Sequence, residues 1–151
     1  MKEHEYKAEL ARQKELEART IDYVNPGEEQ NERDHKLQGE RHGAGDLGGR
    51  KWRHAPDGWF SWEVKVLPGQ PQELRVTYWG SDGGRMFDVL VDGEKIATQK
   101  LNNNRPDQFY DEVHPLPEKL TQGKERITVR FQAHPGNTAG GVFGVRTMRL
   151  K

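Results

Sequence analysis

Apolar residues alternate with polar ones at period two through most of the chain after residue 59. Phe60, Trp62, Val64 and Val66 are separated by Ser61, Glu63 and Lys65, and Leu74, Val76 and Tyr78 by Arg75 and Thr77. Phe87, Val89 and Val91 run into Asp92-Gly93, a tight hairpin signal, and residues 95–100 return. Residues 109–114 form a further candidate strand, Ile127, Val129 and Phe131 repeat the alternation, and a last strand covers residues 142–150. Alternation of this kind marks strands with one buried face. About seven or eight such strands, with turn residues roughly every ten positions, predict an all-β fold: an antiparallel, jelly-roll-like β-sandwich.

The chain before residue 59 follows other rules. Residues 3–19 (EHEYKAELARQKELEAR) carry no Gly, Pro or β-branched residue and predict a helix, with Glu15 and Arg19 in a favourable i,i+4 order. Tyr6 and Leu10 share a face that Gln13, Lys14 and Glu17 continue, so the helix has little to bury. Residues 1–19 therefore read as a helical tether and residues 20–151 as the sandwich. Between residues 20 and 55 the chain is rich in Gly, Asn, Asp and Glu. Asn25-Pro26-Gly27 is a turn signal, residues 31–35 read as turn-like, residues 36–40 as strand-like, and Gly43, Gly45, Gly48 and Gly49 as a flexible loop.

Composition narrows the function classes. A length of 151 residues fits one domain. Lys+Arg and Asp+Glu are both 24, so no net field draws the chain to nucleic acid or to an anionic membrane, and no apolar run reaches membrane-spanning length. The absence of cysteine removes disulfides, thiolate nucleophiles and Cys-ligated zinc together.

Two regions offer chemistry. Residues 50–59 (RKWRHAPDGW) bring Trp52 and Trp59 close to Arg53, His54 and Asp57. Indole faces stack on the C–H face of a sugar ring, and Arg, Asp, Asn or His bond its hydroxyl edge. Trp79, off the Leu74–Val76–Tyr78 face, and the loop holding His134 and Asn137 complete the candidate contacts: Trp52, Arg53, Asp57, Trp59, Trp79, His134 and Asn137. Trp62 reads as core, and Trp52 and Trp59 read equally as core. Residues 31–35 (NERDH) form the densest polar cluster. There Asp34 and His35 could serve acid–base chemistry, and Glu32, Asp34 and Glu40 are candidate ligands for a structural calcium, although capping of a local turn explains the same residues. No glycine motif has the order of a phosphate cradle, so nucleotide binding is set aside.

The blocks RTIDYVNPGEEQNERDHKLQGE, GRKWRHAPDGWFSWEVKV, LRVTYWGSD, FDVLVDGEKIATQKLNNN and ITVRFQAHPGNTAGGVFGVRTMRL together resemble one module. It is the C-terminal β-sandwich of bacterial β-L-arabinofuranosidase-type glycoside hydrolases of families 146 and 127, long carried as a domain of unknown function. The resemblance covers residues 19–150. It implies a galactose-binding-like sandwich that serves as a non-catalytic, substrate-binding accessory domain beside an (α/α)6-barrel catalytic domain of the same parent chain. It implies export to the periplasm or beyond and an arabinose-containing plant oligosaccharide or polysaccharide as partner. The family's cysteine nucleophile and zinc site belong to the barrel, so no catalytic residue carries over to this sequence and no cofactor is expected beyond the structural calcium. The alternative is a structural domain that packs on the barrel and stabilises it without binding sugar.

Overall fold

A computed structural model describes residues 3–150. Helix α1 (Glu3–Arg19) passes directly into β1 (Thr20–Val24); α2 (Glu29–Asp34) and β2 (Gln38–Glu40) follow, then β3 (Gly43–Leu47) and β4 (Arg50–Pro56) as a hairpin. The chain continues through β5 (Trp59–Lys65), β6 (Gln72–Trp79), β7 (Arg85–Val91), β8 (Glu94–Leu101) and β9 (Phe109–Leu116). The one-turn helix α3 (Glu118–Thr121) leads to β10 (Arg126–Ala133) and the long β11 (Thr138–Arg149).

These strands form two antiparallel sheets. One has six strands in the order β3-β4-β11-β6-β9, with β1 also paired to β11, and the other has five in the order β2-β5-β10-β7-β8. β11 is long enough to take two partners along one edge: β4 against residues 138–142 and β1 against residues 145–148, while β6 lies along its other edge. The inward positions of both sheets meet in one core that includes Phe60, Trp62, Tyr78, Phe87 and Phe131, all fully buried. Phe60, Trp62 and Phe131 pack ring on ring at 5.2–6.0 Å. The alternation in β5, β6 and β10 thus reports their buried faces as the sequence predicts, and Trp62 is core.

Strand β4 and helix α3 are not expected from the sequence, and two further stretches differ from what the sequence predicts. Residues 31–35 belong to a short helix and its C-cap rather than a turn, because Glu32 faces inward from α2 and is 4% exposed. The glycines 43–49 are not a flexible loop but β3 and its turn. Gly45 lies opposite Trp52, whose indole folds across it; a Cβ there would stand 2.2 Å from the Trp52 ring. A glycine in a strand here signals close approach.

A buried charge pair ties these pieces together. Arg53 of β4 gives Glu32 two hydrogen bonds, Nε to Oε2 at 2.6 Å and Nη2 to Oε1 at 2.8 Å. Glu32 also accepts from the Trp62 indole at 3.2 Å and the Gly27 amide at 2.9 Å, while Arg53 Nη1 meets His42 Nδ1 at 2.8 Å. Every lone pair direction of the carboxylate therefore has a donor, the condition under which a buried charge is tolerated. Nearby, His35 Nε2 lies 2.9 Å from Asp22 Oδ1 and its Nδ1 2.7 Å from the Asn31 carbonyl, while Asp22 Oδ2 accepts from the Lys65 amide. The bond to Asp22 raises His35 above its ordinary 6.5. Burial pushes Asp22 up, but hydrogen bonds from His35 and the Lys65 and Tyr23 amides outweigh it and hold the carboxyl below 3.8.

Two outcomes follow from these pairs. Glu32→Gln strands a guanidinium in the interior and is expected to cost about 3 kcal/mol in urea unfolding; a loss under about 1 kcal/mol would show the pair to be dispensable. The His35 contribution is full below pH 6.5 and is lost as pH rises through its raised folded value; the Asp22 contribution is present above pH 3.8 and is lost as pH falls through its lowered one. The pair therefore stabilises most between those limits. His35→Gln is expected to flatten the fall of Tm above pH 6.5, and an unchanged slope would refute the assignment.

Candidate functional site

The inward turn of Arg53 and Ala55 on β4 leaves Trp52 and His54 on the outer face of the six-stranded sheet, with ring centroids 4.6 Å apart. On the same face Trp79, the last residue of β6, packs on Phe109 of β9 at 4.8 Å, and Phe109 meets Phe143 of β11 edge-on at 4.9 Å. Trp52 and Trp79 are both half-buried and line one open cavity of about 400 Å³. Its polar groups are His54, Asp82 and Arg85; Leu47, Phe143 and Gly141 complete the wall. Trp52 and Arg85 both come within van der Waals distance of Gly141.

The loop carrying Asp82 is clamped by backbone bonds to the β8–β9 loop. The Gly80 amide donates to the Gln108 carbonyl at 2.7 Å and the Asn103 amide to the Asp82 carbonyl at 2.8 Å. Only glycine fits at position 80, since a Cβ would fall 1.7 Å from the Arg105 carbonyl oxygen. Asp82 is thereby held 3.8 Å from the Arg85 guanidinium. Burial raises the Asp82 carboxyl, against Arg85 and His54, which pull it down. Burial, then the Arg85 charge, lowers His54, so at neutral pH its imidazole is uncharged and offers one donor and one acceptor. The cavity thus sets aromatic walls beside donors and acceptors of both kinds.

The other predicted contacts lie elsewhere. Arg53 is spent inside the protein on Glu32, because the phase that turns Trp52 outward turns its neighbour inward. Asp57, at φ 53°, and Asn137 join two turns beyond β4, through the Asp57 amide on the Asn137 carbonyl at 2.8 Å. Trp59 lies on the outer face of the other sheet with the Arg130 guanidinium 3.8 Å above its ring. His134 opens the turn after β10, 2.8 Å from Asp88 of β7, which also accepts from Thr98. Of the calcium candidates, Glu32 is saturated by its internal donors, Asp34 is exposed and bonded to Gln30, and Glu40 is exposed on β2. The fold does not gather them, and among the described residues no group of three or more metal-ligating side chains forms. Asp34 and His35 do not form an acid–base pair either, since His35 turns to Asp22.

His54, Asp82, Arg85 and Phe143 were not foreseen as site residues. His54 stands two positions from Trp52 and shares its face once residues 50–56 are seen to form β4. Asp82 and Arg85 were not legible, because only the loop clamp brings them over the Trp52 side of the sheet. Gly45→Ala is expected to push the Trp52 indole off its seat, changing near-UV circular dichroism and tryptophan emission while far-UV signal persists. An unaltered near-UV spectrum would show that the indole is not held there.

No helix among the described residues is long and apolar enough to cross a membrane. No curated relative matches the chain. Solved structures with the same architecture include a family 35 carbohydrate binding module from Clostridium thermocellum, with TM-score 0.61 and 9% identity over 86% of this chain and 100% of that one. The carbohydrate binding module of Cellvibrio mixtus lichenase 5A, solved with cellotriose, gives 0.56 and 14% over 87% and 99%. An exo-β-1,3-galactanase from Phanerochaete chrysosporium gives 0.59 and 11%, over 85% of this chain and 29% of the enzyme. At these identities the likeness shows a shared β-sandwich fold. Matched over residues 15–148, the chain belongs to the family of unknown function DUF6805.

Proposed function

We propose that this chain is a non-catalytic carbohydrate-binding domain and that the Trp52–Trp79 cavity is its sugar site. The observation that carries this reading is the placement of Trp52 and Trp79 in one open cavity with His54, Asp82 and Arg85. Indole faces take the C–H face of a sugar ring, and the neutral imidazole, the carboxyl and the guanidinium suit its hydroxyls. A cavity of about 400 Å³ is in the range of small-ligand sites. The likeness in fold to carbohydrate binding modules supports the reading. The function is positioning: a bound chain raises the local concentration of substrate near a catalytic partner while this domain breaks no bond.

The finer assignment rests on the sequence blocks of residues 19–150. They support a bacterial glycoside hydrolase acting on arabinose-containing plant glycans as the parent, an (α/α)6 barrel as the neighbouring domain, and a periplasmic or extracellular setting. A second reading, a structural domain that packs on the barrel, draws on α1, where Tyr6 and Leu10 remain 55% and 37% exposed on one face.

Tryptophan-fluorescence titration with arabinofuranose-containing oligosaccharides separates the two. Saturable binding is expected, and Trp79→Ala is expected to weaken it at least about tenfold, or about 1.4 kcal/mol. Unchanged affinity in a folded Trp79→Ala protein would remove the cavity from the site, and silence at millimolar sugar would favour the structural role.

A further inference from the structure

The Trp52–Trp79 cavity does not end at its own walls. Phe143, on its rim, also lines a smaller cavity of about 170 Å³, and that cavity shares Tyr23 and Arg50 with a larger one of about 700 Å³. The larger space lies between α1 and the outer face of the six-stranded sheet, with Arg12, Gln13 and Glu17 of the helix on one side. Phe109 lines the larger cavity and packs on two residues of the Trp52–Trp79 cavity, Trp79 at 4.8 Å and Phe143 at 4.9 Å. The three spaces are therefore neighbours, joined through Phe143, Tyr23 and Arg50 as shared walls.

The chemistry changes across these spaces but the charge does not. At the first end the walls are indoles and the ionic groups are one carboxyl and one guanidinium, Asp82 and Arg85. At the far end Arg12, Arg50 and Arg146 are matched by Glu9, Glu17 and Asp111. Two of those cations already lie on rings, Arg50 at 4.1 Å from Phe109 and Arg146 at 3.8 Å from Tyr23, and Arg146 also donates to the Thr20 hydroxyl at 3.0 Å. A balanced row of donors and acceptors suits hydroxyls, whereas a polyanion would need an excess of cations. The helix wall is attached at its C-terminal end, where Arg19 bonds the Arg149 carbonyl at 2.9 Å and Glu73 at 3.2 Å.

Resting on the carbohydrate-binding reading, we propose that these cavities form one furrow that holds several consecutive residues of an uncharged, linear glycan, with the indole cavity as its apolar end and α1 as the far wall. The domain then grips a stretch of chain rather than a single terminal sugar. Each additional residue lying in the furrow adds contacts without a further loss of translational freedom, so affinity climbs with chain length.

The test is calorimetry on the full chain with neutral arabino-oligosaccharides and cello-oligosaccharides, disaccharide against hexasaccharide, plus a hexagalacturonate. The hexasaccharide of the bound series is expected to bind at least about tenfold tighter than its disaccharide, beyond what overlapping registers supply, and to lose little in about 0.5 M NaCl. In the triple variant Arg12→Ala, Gln13→Ala, Glu17→Ala, all exposed helix positions, the disaccharide affinity is expected to persist and the length gain to vanish. Equal affinity for both lengths, with disaccharide binding still dependent on Trp79, would overturn the furrow while leaving the sugar site intact. A length gain that survives the triple variant would overturn the role of α1, and tighter, salt-sensitive binding of hexagalacturonate would overturn the neutral ligand. Failure of every saccharide to bind would overturn both this inference and the reading beneath it.

Discussion

The buried carboxylate of Glu32 sets the phase of β4, and the phase of β4 sets the candidate site. Arg53 must turn inward to meet Glu32 with two hydrogen bonds at 2.6 and 2.8 Å, and a strand that sends one residue inward sends its neighbours out. Trp52 and His54 are those neighbours. A register slip of one residue would bury both rings and expose the guanidinium, at the cost of an unpaired buried carboxylate. The ion pair also explains why a six-residue helix with almost no apolar side chains exists at all: α2 carries Glu32 to its partners and is held by them, with Trp62 as a third anchor from the opposite sheet. Polar bonding thus does for the α2 end of the sandwich what the Phe60–Trp62–Phe131 cluster does for its middle.

What lies outside that phase is organised by close backbone approach. Gly45 lets the Trp52 indole lie across β3, and Gly80 lets two loops touch. Each of these glycines acts by what it lacks. The result is an aromatic surface in which the Trp52 indole lies over the β3 backbone and Trp79 rests on Phe109, both rings half-buried beside an open cavity.

This arrangement accounts for what could be read from the sequence. Strands with one buried face announce themselves, and β5, β6, β7 and β10 were legible because Phe60, Val76, Val89 and Val129 recur at every second position. β3 was not, since a glycine in a strand and a glycine in a loop are the same letter, and the difference is Trp52 seven residues on. The tryptophans were found because the type suits the chemistry, but their grouping was not: Trp59 and Trp79 fall on different sheets, a fact of topology that spacing does not encode. The Arg53 guanidinium suits a sugar hydroxyl by type but is taken by Glu32, a partner that only the fold brings within reach. His54 joins Trp52 only through β4, a strand that the polar stretch at residues 50–56 does not announce. Asp82 and Arg85 required the clamp between two loops, which is tertiary.

The likeness in fold to carbohydrate binding modules therefore carries only part of the functional argument. At 9–14% identity the sandwich is shared, and a sandwich can present either outer face, either end or any loop cluster to a ligand. The choice of face comes from this chain's own residues. The outer face of the five-stranded sheet has an indole as well, but Arg130 lies on the Trp59 ring at 3.8 Å and Asp88 is already bonded to His134 and Thr98, so its polar groups answer one another. On the six-stranded sheet the polar groups beside Trp52 and Trp79 are less satisfied: Asp82 and Arg85 stand 3.8 Å apart, beyond a hydrogen bond, around a cavity between two indoles. On the proposed reading a sugar hydroxyl enters between that carboxyl and guanidinium and bonds to both, whereas the closed pairs on the opposite sheet would first have to be broken.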